Sequence, residues 1–220
     1  ASLKEVVSAE EWQLRCDLAA CYRLVAAYGW SDLVFTHVSA RIPGPEHHFL
    51  INPYGLMFDE ITASSLVKVD VQGRVVDGSG APVNPSGFAI HGAVHAARPD
   101  AACVIHLHTP WGVALSMLPQ GLLATSQWAM RLHRRLGRHP YEGLALGVEE
   151  QRRLVAALAD KDGLILEHHG PLVVGRSVGE AVMLMHILER AAQAQLCAMA
   201  AAPGQVCGVS DELAELTYRQ

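Results

Sequence analysis

The sequence that decides the fold is Ala102-Cys103-Val104-Ile105-His106-Leu107-His108, an apolar run with two histidines near its end. The run contains no turn-forming residue and predicts a strand over residues 102–108. Because successive side chains of a strand point to opposite faces, we expect Ile105 and Leu107 in the core and both histidines on the other face. Two imidazoles placed in this way either share a metal ion or face solvent on a half-exposed strand.

On both sides of this strand, the sequence predicts a mixture of short extended segments and helices. A capping box at Ser8 and Glu11 opens a helix that ends near Gly29. Further strands are predicted over 33–39, 48–52, 66–70, 164–167 and 172–174, and further helices over 86–98, from near 110, from near 148, and over 177–202. Strict alternation of strands and helices is missing, so the pattern predicts one α/β domain over residues 1–220 with a mixed or antiparallel sheet, and residues 204–220 form its C-terminal tail.

The composition excludes several classes of protein. Of the 220 residues, 50% are hydrophobic and 18% are charged, which rules out a disordered chain. The net charge of -5 argues against a nucleic-acid partner, and no apolar run reaches the ~20 residues that span a bilayer, so we expect no membrane segment. The 5 cysteines are odd in number and form no Cys-x-x-Cys pair, and the N-terminus has no signal pattern. Both features favour a reducing cytoplasm.

A second histidine motif follows the strand predicted over 164–167. Glu167-His168-His169-Gly170 ends an apolar run, and one of its histidines could complete a three-histidine site with an open position, as catalytic metals have. The alternative is an ordinary turn. His91 and His95 share a helix face, but Gly92 stands where a zinc protease has its glutamate, which removes most of the case for that chemistry. The sequence also contains no nucleotide-binding loop and no serine-hydrolase elbow.

Four stretches, in their order and spacing, resemble the class II aldolase/adducin family. They are residues 49–56, residues 84–91, the segment from 97 to 109 with its two histidines, and His168-His169-Gly170. The resemblance implies a three-layer α/β/α fold with a central, mostly antiparallel sheet. It also implies a divalent metal held by His106, His108 and His169, which polarises a carbonyl group. His169 is preferred to His168 because the family ligand immediately precedes glycine, and because His168 on an extended backbone would point to the opposite face.

The sequence departs from the sugar-phosphate aldolases of this family where their catalytic glutamate and phosphate pocket lie. No acid occurs between Asp77 and Asp100, and the segment that should contain the glutamate reads Pro85-Ser86-Gly87-Phe88. Thr36-His37-Val38-Ser39 replaces a Gly-Asn-x-Ser motif, and Gln127 aligns with a proton-donating tyrosine. The chain therefore resembles the adducin-like branch, and we expect a substrate without a phosphate group.

These departures suggest roles for further residues. His37 is the candidate general base, because the pKa of imidazole suits proton transfer near neutral pH; Tyr54 and His91 are second-tier candidates. Glu167 is expected to orient a ligand histidine. The expected substrate contacts are Ser39, Asn52, Gly55, Ser86, Gly87 and Gln127.

The sequence thus predicts a metal-dependent lyase that acts on a non-phosphorylated hydroxy or keto compound by aldol cleavage, hydration or decarboxylation. Zinc is the favoured metal, with iron and manganese as alternatives. The competing hypotheses are a non-catalytic, adducin-like scaffold and an iron-dependent oxygenase that uses the same histidines. The resemblance also implies a homotetramer with active sites between subunits, where Gln127, Trp128 and Tyr218 of a neighbouring copy could form one wall.

Overall fold

The computed structural model describes residues 2–143 and 147–220, except for the side chains of residues 85 and 86. Its strands are β1 (His37–Arg41), β2 (Phe49–Ile51), β3 (Val67–Val69), β4 (Cys103–His106), β5 (Leu136–His139), β6 (Gly163–Leu166) and β7 (Gly170–Gly175). Its helices are α1 (Leu3–Val6), α2 (Ala9–Ala27), α3 (Pro85–Ala97), α4 (Pro110–Ser116), α5 (Gln127–Met130), α6 (Val148–Leu158), α7 (Val178–Ala201) and α8 (Asp211–Arg219), with a short 3-10 helix at Phe58–Glu60.

The strands form one 7-stranded sheet in the order β3-β2-β1-β4-β7-β6-β5. All neighbouring pairs are antiparallel except β5 and β6, which are parallel. The predicted α/β fold with a mostly antiparallel sheet is therefore confirmed. Strand β4 lies at the centre, and all four of its residues are buried, as expected for a strand covered on both faces.

Helices cover both faces of the sheet and complete the three layers. On one face, Ile105 of β4 belongs to a core cluster with Leu18 and Tyr22 of α2 and Leu188 of α7. On the other face, Val104 packs in a second cluster. That cluster includes Ile90 and Val94 of α3 and Leu154 and Leu158 of α6. Neighbouring residues of β4 thus enter opposite cores, as strand alternation requires.

Serine side chains fix the starts of several helices. Ser8 accepts a hydrogen bond from the backbone N–H of Glu11, Ser177 does the same for α7, and Ser210 does so for α8. Helix α8 lies within the predicted tail, and its Ala214 is fully buried. In the described part of the chain, no helix combines the length and apolar character that crossing a bilayer requires.

Two differences between predicted and observed strand bounds bear on the histidines. The strand predicted from residue 33 begins at His37, because Leu33 and Thr36 adopt φ angles of 51° and 67°, which a strand cannot contain. The strand predicted over 102–108 ends at His106, so His108 lies beyond it. Strand β5 was not predicted, since Leu136-Gly137-Arg138-His139 contains no β-branched residue.

A buried histidine seats α3 on the sheet. The ring of His95 stacks on Phe49 with 4.5 Å between centroids, and its Nδ1–H donates to the carbonyl of Ala101 at 3.0 Å. Its Nε2 lies 2.8 Å from the hydroxyl of Ser39 on β1. Burial lowers the pKa of His95 to about 3, so the folded protein keeps this ring neutral.

We predict that His95 makes the folded state less stable in mild acid. Below pH 6.5 the unfolded chain binds a proton at this histidine, whereas the folded chain does not until about pH 3, so stability falls with pH across that window. Between pH 7 and 5 the loss from this one group is about 2 kcal/mol. Denaturant titrations of the wild type and His95→Gln should show the variant losing less stability by that amount. His47→Gln, at an exposed histidine, is the control, and equal losses in all three proteins would contradict the prediction.

Candidate metal centre

The histidines of distant segments lie together at one edge of the sheet, where β1 begins and β4 ends. His37 at the start of β1 pairs with His106 at the end of β4, and His106 pairs in turn with Leu172 of β7. Strand β7 begins at Gly170, directly after His169, and pairs there with Leu166 at the end of β6. Antiparallel pairing around β4 therefore places the two sequence motifs at the same edge.

Three imidazoles converge at this edge. One nitrogen of each of His106, His108 and His169 lies within 4.8 Å of the others, and the Nε2 atoms of His106 and His169 are 3.2 Å apart. Two nitrogens bound to one tetrahedral zinc at about 2.0–2.1 Å would lie about 3.3 Å apart. The Nε2 of His108 is buried and has no hydrogen-bond partner. The donor set and its spacing therefore fit a divalent metal.

Contacts of the opposite ring nitrogens orient two of these imidazoles. The Nδ1–H of His106 donates to the carbonyl of Pro171 at 3.0 Å, and the Nδ1–H of His108 donates to the carboxylate of Asp32 at 2.8 Å. Each bond fixes the tautomer and leaves Nε2 bare, as a metal ligand requires. Sequence analysis missed Asp32, since nothing in its neighbourhood marks it as a partner of a histidine 76 residues away.

Burial keeps the cluster in the form that binds metals. It lowers the pKa of His106 well below the ordinary range and the pKa of His169 to about 4, with neighbouring histidines adding to both shifts. Two of the three rings are therefore neutral at physiological pH. Neutral imidazole is the state in which histidine donates to a metal.

A tight turn delivers His169 to the cluster. The backbone N–H of His169 donates to the carbonyl of Leu166 at 3.1 Å. His168 has φ 56° and is therefore not extended, so the argument from alternating faces does not apply to it; its side chain is exposed and lies outside the cluster. At Gly170, with φ 143°, a Cβ atom would stand 2.8 Å from the carbonyl oxygen of Leu107, so only glycine allows β7 to begin so close to the end of β4.

His37 lies beside the cluster with its ring against α3. Its Nδ1–H donates to Oδ1 of Asn52 at 3.3 Å, and Asn52 in turn lies 2.8 Å from the hydroxyl of Tyr22. A Cβ atom at Gly87 would stand 2.0 Å from Nε2 of His37, so any other residue at 87 would displace this ring. Burial lowers the pKa of His37 to about 4, so the ring is neutral at physiological pH and the near-neutral pKa expected of it from sequence is not found.

The loop that joins Asp32 to His37 has a strained backbone. Leu33 and Thr36 both have positive φ, and for a β-branched residue such as Thr36 this costs of order 1–3 kcal/mol. Asp32 and Phe35 pair across the loop as an isolated bridge. Strain of this kind is typical of segments that hold functional side chains in fixed positions.

The remaining predicted site residues lie in different surroundings. Glu167 pairs with Arg138, and the carboxylate that contacts a histidine of the cluster is that of Asp32. Ser39 has no exposed surface, and its hydroxyl lies between His91 and His95, which leaves little room for the predicted substrate contact.

Three of the other predicted residues are not joined to the cluster. Within the described residues, no hydrogen bond or ion pair links Tyr54, Gly55 or Gln127 to the three histidines. Tyr54 is 42% exposed, and Gln127 is exposed at the start of α5. The side chain of Ser86 lies outside the described part of the chain.

Comparisons with known proteins agree with this architecture. Residues 16–196 match the family model described as the class II aldolase and adducin N-terminal domain. A putative aldolase class 2 protein of Caulobacter vibrioides is 56% identical over 198 residues, which cover 90% of this chain and 77% of that protein.

Two solved structures share the fold over nearly the whole chain. An aldolase II superfamily protein from Pseudomonas syringae superposes with a TM-score of 0.96 at 46% identity, covering 100% of this chain and 89% of the other. An L-fuculose 1-phosphate aldolase from Glaciozyma antarctica superposes with a TM-score of 0.87 at 34% identity, covering 96% and 82%. The family-model match covers well over half of the chain, and the chain therefore belongs to the class II aldolase and adducin family.

Proposed function

We propose that this protein is a divalent-metal-dependent lyase that acts on a non-phosphorylated hydroxy or keto compound. The observation that supports it is the convergence of His106, His108 and His169, whose ligand nitrogens lie within 4.8 Å of one another. Zinc is the metal we favour, with iron and manganese as alternatives, since imidazole suits all three. A divalent metal bound there would polarise a substrate carbonyl and stabilise the negative charge that develops on it.

His37 is the residue that we assign as proton acceptor. Its Nδ1–H is used by Asn52, so the bare nitrogen is Nε2, on the ring edge that faces Gly87. Position 87, which the ring of His37 faces, is a glycine. It therefore supplies no carboxylate that could act as the base in place of His37. Tyr54 remains a second-tier candidate, and its side chain is exposed.

The choice of a non-phosphorylated substrate rests on the departures near His37. One structural relative is by its name an aldolase of a sugar phosphate. In this chain the segment that would bind the phosphate contains His37 and Ser39, both buried and both engaged by other side chains. We therefore propose a substrate without a phosphate group, a hydroxy or keto acid or a related carbonyl compound, bound with help from Asn52, Gly55, Ser86, Gly87 and Gln127. The absence of disulfides among the described cysteines favours the reducing cytoplasm.

A scaffold or an oxygenase remains the alternative on the same fold. A scaffold would hold no metal, and an iron oxygenase would hold iron in the three-histidine site. Metal analysis of protein purified without added metal narrows the three: zinc or manganese supports the lyase, iron keeps both the oxygenase and the lyase, and an empty site supports the scaffold. Screening of hydroxy and keto acids for carbonyl release then tests the lyase directly.

We also propose that the protein assembles as a homotetramer in which a neighbouring copy closes the site. Trp128 is 40% exposed, and the guanidinium group of Arg190 lies over its ring. Tyr218 is 38% exposed, and the guanidinium group of Arg135 lies over its ring. Large exposed aromatic side chains held in place in this way are typical of contact surfaces between subunits. Light scattering at micromolar concentration should give four times the chain mass, and a monomer would refute both the assembly and the shared wall.

The metal site predicts a specific pattern of metal loss. Replacing His106 or His169 with alanine should remove nearly all bound metal, because three ligands are the least that hold a catalytic zinc. His168→Ala is the matched control, since its side chain is exposed one residue away, and it should keep most of the metal. Elemental analysis of the three variants and the wild type measures this, and equal loss in His168→Ala and His169→Ala would contradict the assignment.

The contact between Gly87 and His37 predicts a separation of metal binding from activity. Gly87→Ala should displace the His37 ring and lower the turnover of a substrate found in the screen by about 100-fold or more, as His37→Ala should, because a general base contributes at least that much. Both variants should retain metal. Gly179→Ala is the control, since its added Cβ would meet nothing closer than 3.9 Å. If Gly87→Ala keeps full activity, His37 is not the base.

A further inference from the structure

A chain of buried hydrogen bonds lies behind the metal site and ends in an unmatched nitrogen. It runs from the carbonyl of Ala101 through His95 and Ser39 to His91. The hydroxyl of Ser39 lies 2.8 Å from Nε2 of His95 and 2.7 Å from Nδ1 of His91. All three side chains are at most 1% exposed, and Nε2 of His91 has no partner.

The direction of each hydrogen bond follows from the carbonyl at one end. A carbonyl only accepts, so Nδ1 of His95 bears a hydrogen, and the Nε2 of this neutral ring is bare. The hydroxyl of Ser39 must donate its single hydrogen to that Nε2. Because that hydrogen is used, the oxygen of Ser39 can only accept from His91, and Nδ1 of His91 must be the donor. Burial also keeps His91 neutral by lowering its pKa, so its Nε2 is held as a bare acceptor.

The ring that carries this bare nitrogen lies beside His37, next to the three histidines. Side chains on a helix lean toward the N-terminus and lie over the residue four positions earlier, which for His91 is Gly87. The ring of His37 occupies the space over Gly87, and the centroids of the His37 and His91 rings are 6.1 Å apart. Next to His37, across the β1–β4 pair, lies the ligand His106. No side chain in the described part of the chain donates to this acceptor.

We propose that Nε2 of His91 is a hydrogen-bond acceptor of the metal site and receives the O–H of a substrate hydroxyl group or of a water molecule beside the three histidines. A buried acceptor without a partner costs stability, and such groups are matched by ordered water or by ligand. The fixed tautomer means that this position accepts and never donates, so it selects a hydroxyl over a carbonyl or carboxylate oxygen. The hydroxyl ligand rests on the proposed function, whereas the tautomer of His91 follows from the hydrogen bonds alone.

Nitrogen NMR of the side chains tests the locked tautomer without any substrate. In wild-type protein labelled at histidine nitrogens, His91 should show a protonated Nδ1 and a bare Nε2. Ser39→Ala removes the acceptor for Nδ1–H, and His91 should then populate both tautomers. Ser116→Ala, which removes another buried hydroxyl that bonds only to the nearby carbonyl of Val113, should leave the His91 signals unchanged. A protonated Nε2 in the wild type, or an unchanged tautomer in Ser39→Ala, overturns the proposal.

Binding of small acids to zinc-loaded protein tests the ligand contact. Glycolate has a hydroxyl that acetate lacks, and one buried hydrogen bond to it should give a preference of about tenfold for glycolate. His91→Asn keeps a donor toward Ser39 but has no atom at Nε2, and it should lose the preference. His91→Gln can place its amide oxygen at the Nε2 position and should retain it.

The outcomes of these two experiments separate the inference from the proposed function. The same preference in all three proteins, or none in the wild type, overturns the hydroxyl contact. Protein that retains no zinc refutes the proposed function and the hydroxyl contact together, whereas the tautomer measurement on metal-free protein still decides whether His91 is held as an acceptor.

Discussion

The antiparallel pairing of β4 with β1 on one side and β7 on the other is the constraint on which the site depends. It sets His37 opposite His106 and brings the segment before Gly170 to the same edge of the sheet. A shift of one residue in either register would turn every side chain of a strand to the opposite face. The apolar residues on both faces of β4 resist such a shift, because Val104 and Ile105 belong to different cores. Core packing thereby fixes the geometry of the histidines.

Close backbone contact is the second requirement, and glycines at two positions meet it. Gly170 allows the start of β7 to approach the carbonyl of Leu107, and Gly87 leaves the space on α3 that the His37 ring fills. Neither position tolerates a side chain without movement of its neighbour. The absence of a Cβ atom at these two positions is therefore as necessary for the geometry of the site as the imidazoles are.

The sequence predicts much of this arrangement, but strand alternation does not explain the position of every histidine, and one contact was missed. His106 follows from strand alternation, and the cap of α2 follows from the serine motif at Ser8. His108 reaches the cluster from beyond the strand, so alternation alone does not explain its position. Asp32 was missed because its pairing depends on a strained loop, and strain leaves no periodic signal in sequence. Short-range patterns predict elements, whereas contacts over long sequence separations require the assembled sheet.

The cost of the buried histidines bears on whether the domain is a scaffold or an enzyme. His37, His91, His95 and His106 are each at most 5% exposed, and each has a pKa lowered by burial. Each therefore weakens the fold as pH falls, and the unmatched Nε2 of His91 adds a further penalty. Well-packed apolar residues of similar volume would avoid both costs. His95 serves the fold, because it seats α3 on the sheet. A scaffold has no need of the other three imidazoles, whereas the proposed metal site must hold neutral ligands and fixed acceptors next to a substrate. This physical balance supports the proposed metal site over a purely structural domain.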